Sequence, residues 1–289
     1  MTIELPNSAG IGFKPKHLAD LLLQKSEVSW LEVHPENYMG DGGLPHQDLL
    51  AVSEAFPLSM HGVGMSLGSA DGVNDEHLER LAKLVDAYQP ARVSEHLAWS
   101  HWNQVFLNDL LPMPYTRESL NLVAENLGRV QDRLKRTILV ENPSLYLSFR
   151  GDEFSEAEFL NELCKTTGCG LLFDVNNLYV SANNTGFDAQ QYLKELNIKN
   201  IAEVHLAGHS IESLPNESKL LIDDHGSPVR QEVWSLYQSL VFNLGEMPPT
   251  LIEWDTDTPD FEQMDLEAGL ANQYAANALS NKILKESAA

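Results

Sequence analysis

Gly170-Leu171-Leu172-Phe173-Asp174-Val175-Asn176-Asn177 holds the plan of the chain in a few residues. Gly170–Phe173 is short, apolar and without alternation, the mark of a strand buried on both faces. It stops in a carboxylate. Upstream, Ser155 and Glu158 form a capping box that opens a helix running to Gly168. Helix, buried strand, polar strand end: this is the unit of a parallel sheet with crossover helices.

The unit repeats along the whole sequence. Candidate strands are Ile11–Phe13, Ser29–Val33, Pro57–Met60, Arg92–Ser94, Thr137–Val140, Gly170–Phe173, Ile201–Val204 and Pro249–Ile252. Between them run stripes of helical period. Leu78, Leu81, Val85 and Tyr88 form one, and Leu120, Val123, Leu127, Val130 and Leu134 another. A third, from Val233 to Leu244, is closed by Gly245 at a position that suits a left-handed cap. Eight such repeats in 289 residues, without a linker, predict one (β/α)8 TIM barrel spanning residues 1–289. A doubly wound open sheet shares the alternation but does not close. The last helical stretch, Met264 to Leu284, would complete the outer ring, with Lys285 to Ala289 frayed.

Composition limits the function. Hydrophobic residues make up 43% of the chain, enough for a large core, so global disorder is excluded. No apolar run reaches the ~18 residues of a membrane span. The first residues lack a basic segment followed by an apolar one, and a cytoplasmic location is expected. Against 42 acidic side chains stand 19 basic ones, a formal charge of −23. Such a surface repels a phosphate backbone, and the densest basic stretch, Arg129 to Arg136, falls among the apolar positions of a helix. Nucleic acid is not an expected partner. The two cysteines, Cys164 and Cys169, are too few for a disulfide framework and read as reduced packing thiols.

What ends each strand carries the function. The third stops at His61, the fourth at Glu95-His96, the fifth at Glu141-Asn142 and the sixth at Asp174 with Asn177 beyond it. The seventh gives His205 and His209, the eighth Glu253 and Asp255, and a separate loop carries Asp223-Asp224-His225. One such residue alone is ordinarily a satisfied polar group. In a barrel, however, all carboxyl-terminal strand ends meet on one face. Converging buried imidazoles and carboxylates need cations to neutralise them, and metal is the simplest resolution. The imidazole content suits zinc, iron or manganese over magnesium or calcium. The donors exceed one ion's needs, so two or three ions sharing a bridging carboxylate are expected, with Glu141 on a middle strand as the bridge.

Other signals are weaker. Gly62-Val63-Gly64-Met65-Ser66-Leu67-Gly68 misses the dinucleotide fingerprint by one position and reads as a tight loop. Glu36 and Asn37 could line the site or cap a helix. Trp99 to Tyr115 is a long connection suited to a lid. His17, His46 and His77 read as surface residues.

Several stretches together resemble one family. They are Leu31-Glu32-Val33-His34-Pro35-Glu36-Asn37-Tyr38-Met39, Ser94-Glu95-His96-Leu97-Ala98-Trp99 and Val140-Glu141-Asn142-Pro143-Ser144. Phe173-Asp174-Val175-Asn176-Asn177, His205-Leu206-Ala207-Gly208-His209, Ile222-Asp223-Asp224-His225-Gly226 and Leu251-Ile252-Glu253-Trp254-Asp255 continue it. The chain is similar to the multinuclear non-haem iron-dependent oxidative enzymes. The resemblance implies a barrel like that of xylose isomerase, two or three iron ions of mixed Fe(II)/Fe(III) valence, and dioxygen as co-substrate. It also implies a substrate: cysteines of a ribosomally made precursor peptide, converted to oxazolone–thioamide or thiazole-type products. Many such enzymes act with a partner protein that presents the peptide. Carried over, His61, His96 and Glu141 would hold one iron, and Glu141, Asp174, His205 and Glu253 a second. Asn177, Asp223 and His225 would hold a third, with Asp224 as the other candidate for the carboxylate. His209 and Asp255 would lie beside the ions, orienting ligands or accepting a proton.

Three other readings share these residues. A trinuclear phosphodiesterase of the endonuclease IV type would use nearly the same ligands, and the acidic charge opposes it. A sugar isomerase fits the fold but favours fewer imidazoles. A metal-binding or peptide-chaperoning protein would hold its ions with saturated coordination.

Overall fold

The computed structural model describes residues 4–23, 25–103, 105–215 and 217–287. Its strands, in chain order, are β1 (Ala9–Gly12), β2 (Leu31–Val33), β3 (Leu58–Gly62), β4 (Arg92–His96), β5 (Trp99–Trp102), β6 (Val105–Leu111) and β7 (Leu139–Glu141). β8 (Gly170–Asp174), β9 (Ile201–Leu206), β10 (Ser210–Ser213), β11 (Lys219–Ile222) and β12 (Thr250–Ile252) follow. Eight of them close into a parallel barrel in the order β1-β2-β3-β4-β7-β8-β9-β12, with β12 returning to β1. The open-sheet alternative is thereby excluded.

The helical stripes bury as their period requires. Leu21 is buried on α1 (Leu18–Leu23), and Leu49 and Val52 on α2 (Leu44–Ser53). Leu78, Leu81 and Val85 face inward from α3 (Asp75–Tyr88), and Leu120, Val123, Leu127 and Val130 from α4 (Arg117–Leu134). The capping box at Ser155 and Glu158 is formed at the start of α5 (Glu156–Thr167). Gly245 closes α8 (Gln231–Leu244) with φ 83°, a conformation costly for any residue with a Cβ. The last helix, α9 (Phe261–Ser287), runs past the expected end. Lys285 lies over the Phe242 ring and Ser287 Oγ donates to Ile283 O, so Lys285 to Ser287 are helical. Ala288 and Ala289 lie outside the described residues.

Three local differences have physical causes. Several strands extend into their polar ends, taking in His61, Glu95, His96, Glu141, Asp174 and His205. Pattern reading stops a buried strand at a carboxylate, but here the polar groups compensate one another across neighbouring strands. The long connection after β4 is a hairpin, β5–β6, and a second hairpin, β10–β11, follows β9. Apolar side chains on β6 face solvent, Phe106 at 61% exposure, so no burial pattern marks it as a strand. Finally, His17 is buried, with Nε2 2.9 Å from Pro259 O, while His46 and His77 are half-buried beside Tyr88 and Glu36. Cys164 and Cys169 are free, buried thiols with sulfurs 3.7 Å apart.

One buried acid outside the barrel mouth gives a stability prediction. Glu156 at the start of α5 accepts from Tyr192 Oη (2.7 Å) and Tyr115 Oη (2.8 Å), and burial pushes its carboxyl from 4.5 up to about 7. The folded chain therefore binds a proton that the unfolded chain has lost between these two values. Its stabilising contribution is full below about pH 4.5 and fades as pH rises through 7. Glu156→Gln should match the parent near pH 4.5 and exceed it at pH 8 by on the order of 3 kcal/mol in denaturant unfolding.

Candidate metal centre

The carboxyl-terminal mouth of the barrel gathers the strand-end residues into one cluster. Glu141 is its middle. Its Oε2 lies 2.7 Å from His96 Nδ1 and 3.0 Å from His61 Nε2, and these two imidazoles approach each other at 3.0 Å. Across the barrel, His205 Nδ1 stands 3.0 Å from Glu253 Oε2. Asp174 caps the amino terminus of α6 (Val175–Thr185), where its Oδ1 accepts from Asn177 N at 2.6 Å. Asn177 in turn donates from Nδ2 to Glu141 Oε1 at 3.2 Å. The amino-terminal end of α6 thus faces the densest negative charge, where its dipole is favourable.

On the loop after β11, His225 Nε2 lies 2.8 Å from Asp223 Oδ1, and His225 Nδ1 reaches Glu253 Oε2 at 3.4 Å and Asp255 Oδ2 at 3.3 Å. Geometry therefore sets Asp223 beside His225, whereas Asp224 accepts from Gly226 N. Asp255 is also bound by Lys14 (2.8 Å) and faces His34 (3.6 Å). His209 is set back. Its Nδ1 is 2.8 Å from Asn176 Oδ1, and Asn176 Nδ2 donates to Asp223 Oδ1, so it reaches the cluster through one amide.

These atoms converge more closely than hydrogen bonding explains. Asp174 Oδ2 and Asn177 Oδ1 are buried without a hydrogen-bond partner, and Glu141 Oε2, despite its two close imidazole nitrogens, has no bond of good geometry. Groups that could hold an ion include His61–His96–Glu141, His61–His205–Glu253 and Glu141–Asp174–His205. Buried polar groups left this way are costly unless a ligand satisfies them. Oxygen and imidazole donors without thiolate suit a first-row transition metal, so the residues present fit the expected metal.

Charge distribution fits as well. Burial raises the Glu141 carboxyl, but His96 and His61 outweigh it and hold the group well below the usual range. Burial would depress the His96 imidazole, yet Glu141 beside it carries it up to about 9. Asp174 is pushed well above its usual value by burial and by Asp223 and Glu141. Without a cation, protons on the imidazoles supply the positive charge. Metal binding at such a site must displace them.

Pattern reading passed over a layer beneath the mouth. Glu32 Oε1 lies 3.2 Å from His205 Nε2, with Glu203 Oε1 at 3.9 Å, and Ser59 Oγ donates to Glu203 Oε2. Burial opposes ionisation of Glu32, but His205 brings its carboxyl down to about 2. Both glutamates sit within strand segments rather than at their ends; a carboxylate in a buried strand was the available signal. A carboxylate facing the far nitrogen of a ligating imidazole fixes its tautomer and orientation. Glu32→Gln should lower metal affinity by about 10–100-fold while the fold is retained, as titration of the metal-free chain would report.

A cleft of about 520 Å3 opens above the cluster, lined by His96, Glu141, Asn177, His225, Glu253 and Asp255 and roofed by Phe106 to Leu110 of β6. The long connection is thus a wall of this cleft. Glu36 lies outside it, accepting from Val63 and Gly64 N–H and facing His77, while Asn37 lines an adjoining cavity. A Cβ at Gly62 would meet Glu95 Oε2 at 2.5 Å, so a larger residue there would displace that carboxylate.

The closed eight-stranded parallel sheet with its outer helices defines the chain as a (β/α)8 TIM barrel. It is similar to a xylose isomerase-like TIM barrel protein from Mycobacterium smegmatis in complex with magnesium (TM-score 0.60, 11% identity, 92% of this chain and 88% of that one). Endonuclease IV from Thermus thermophilus is similar too (TM-score 0.57, 15% identity, 93% and 99% covered). At such identities the likeness shows the fold alone. Sequence goes further. The family described as RiPP precursor modification enzyme MbnB/TglH/ChrH matches residues 8–276, and the chain belongs to it. A UPF0276 protein of Caulobacter vibrioides is 48% identical over 264 residues, 91% of this chain and 93% of its own. One from Paraburkholderia phytofirmans is 46% identical over 267 residues, 92% and 87% covered. No helix among the described residues is long and apolar enough to cross a membrane.

Proposed function

We propose that the chain is an iron- and dioxygen-dependent oxidase that modifies cysteines of a ribosomally made precursor peptide. The observation that carries this is the Glu141-centred cluster, whose orphaned donor atoms converge from separate strands beneath an open cleft. Family membership supports peptide modification as the task. His61, His96 and Glu141 would hold one iron, Glu141, Asp174, His205 and Glu253 a second, and Asn177, Asp223 and His225 a third. When bound, iron would supply a site for the cysteine thiolate and a route for electrons from the oxidised peptide to dioxygen.

The chain's own residues do the rest. Glu32 aims His205, and Asn177 fixes Glu141 through its amide. Asp255 stays ionised: burial would raise it, but His225 and His34 outweigh burial and hold it far below the usual range. Its carboxylate is therefore ready to take a hydrogen bond from a donor on the substrate at the cleft wall. His209 is neutral at pH 7, since burial and Arg230 lower its imidazole to about 4, so it orients Asn176 without adding charge. β6 covers one side of the cleft and limits water there. A partner protein that presents the peptide belongs to the same proposal.

The test is elemental analysis of protein produced with added iron and purified without oxygen, followed by oxygen uptake with cysteine-containing peptides. Two to three irons per chain (the donor sets above) and peptide-dependent uptake are expected. Zinc at that stoichiometry with iron excluded, and no uptake, would favour the hydrolase reading shared with endonuclease IV-like barrels.

A further inference from the structure

A second cavity, of about 330 Å3, lies outside the metal cleft and has a buried carboxylate in its lining that the proposed chemistry does not use. Its walls are largely apolar and aromatic, with Phe149, Phe154, Phe187 and Tyr192 among them, and the acid is Glu156, 7% exposed. Two phenols bond Glu156, but an ionised carboxylate accepts about four hydrogen bonds. Among the described residues, no lysine, arginine or histidine lines the cavity. The amino-terminal end of α5 offsets the charge of Glu156 only in part, which agrees with a carboxyl raised to about 7.

The other ionisable side chains in the lining are acidic and bonded by uncharged donors, while outside the lining the Arg117 guanidinium lies 4.7 Å from the Phe154 ring centroid. Asp152 accepts from the N–H of Tyr115 and Phe149, Asp188 caps α7 (Ala189–Glu195), and Glu195 accepts from Gln191. The cavity is thus a negatively charged slot with apolar walls. Its place is informative too. Along the loop after β7, Pro143, Ser144 and Tyr146 line the metal cleft, while Leu145, Leu147 and Ser148 line this cavity. A chain leaving the cleft over Tyr146 arrives at its rim.

We propose that this cavity receives a lysine or arginine side chain of the peptide substrate, its methylene stem between the aromatic walls and its cationic head toward Glu156. Basic side chains match this slot because the stem buries against apolar surface while the head meets aromatic faces and a carboxylate. The occupant's origin rests on the peptide-oxidase reading; the chemistry of the slot does not.

The first experiment titrates the full chain with butylammonium and butylguanidinium, with 1-butanol as the uncharged counterpart, by ligand-observed NMR. The cations should bind at least about fivefold more tightly than the alcohol, the size of a desolvated cation–aromatic and charge-assisted contact. Glu156→Gln, which can keep both phenol bonds, should bring the two to near parity. Gln191→Lys places an ammonium at the exposed rim and should weaken cation binding by about as much, without touching the buried acid. This second variant decides the matter if Glu156→Gln fails to fold. Equal binding of alcohol and cations, or undiminished cation binding in Gln191→Lys, would overturn the site. Neither measurement needs iron or oxygen, so failure of the slot and failure of the oxidase reading are separable. With a peptide that is turned over, replacing its basic residue by norleucine should raise KM several-fold at constant kcat in the parent and not in Glu156→Gln. An unchanged KM in the parent would remove the peptide as the occupant.

Discussion

Glu141→Ala is expected to leave the chain without bound iron at its centre and without peptide-dependent oxygen uptake. The reason is geometric. Glu141 faces His61 and His96 with one carboxylate oxygen and the Asn177 amide with the other. Removing it takes a ligand from two proposed ions at once and leaves two imidazoles, the buried His61 and the half-buried His96, facing each other at 3.0 Å. A metal contribution of several kcal/mol, at ~1.4 kcal/mol per decade, corresponds to a loss of about a thousandfold or more in turnover. His61→Ala should act in the same direction, since His61 approaches both His96 and Glu141 and its ring also packs against His205. Elemental analysis and oxygen uptake on the same preparations check both variants. Full iron content with retained uptake in either would sink the ligand assignment.

Much of this centre was legible because strand ends in a parallel barrel converge, so residues far apart in sequence could be placed together without knowing any contact. His61, His96, Glu141, Asp174, His205 and Glu253 follow from that rule alone. What escaped is what the rule does not address. Glu32 and Glu203 lie inside strands, one layer below the mouth, where a pattern reader assumes apolar packing. His34 belongs to a strand end, but its meaning depends on Asp255 reaching back to it from the eighth barrel strand, and nothing local encodes that. The hairpins were invisible for a different reason. β6 presents Val105, Phe106 and Leu110 to solvent, so hydrophobicity there reports a surface above the cleft and not a core. His17 shows the converse, a lone imidazole expected at the surface that is instead buried with Nε2 on Pro259 O.

Metal removal should lower the thermal stability of the whole barrel. The centre collects side chains from β3, β4, β8, β9 and from the segment after β12, with Glu141 from β7 between them. An ion held there would join several of these strands directly, beyond the sheet and side-chain hydrogen bonds that already link them. In its absence, the buried carboxylates of Glu32, Glu141, Asp174, Glu203 and Glu253 keep their desolvation cost with only protons and imidazoles to offset it. An ion at about a thousand times its Kd stabilises the native state by roughly 4 kcal/mol, and each kcal/mol moves the midpoint of a chain this size by about 2–4 °C. Chelation should therefore lower the midpoint in calorimetry by about 10 °C, and re-addition of iron should restore it. The same treatment of Glu141→Ala should change little, because there is little left to remove. Coincident melting of loaded and chelated parent protein would mean that bound ions sit elsewhere, and that the convergent buried donors are held by protons alone.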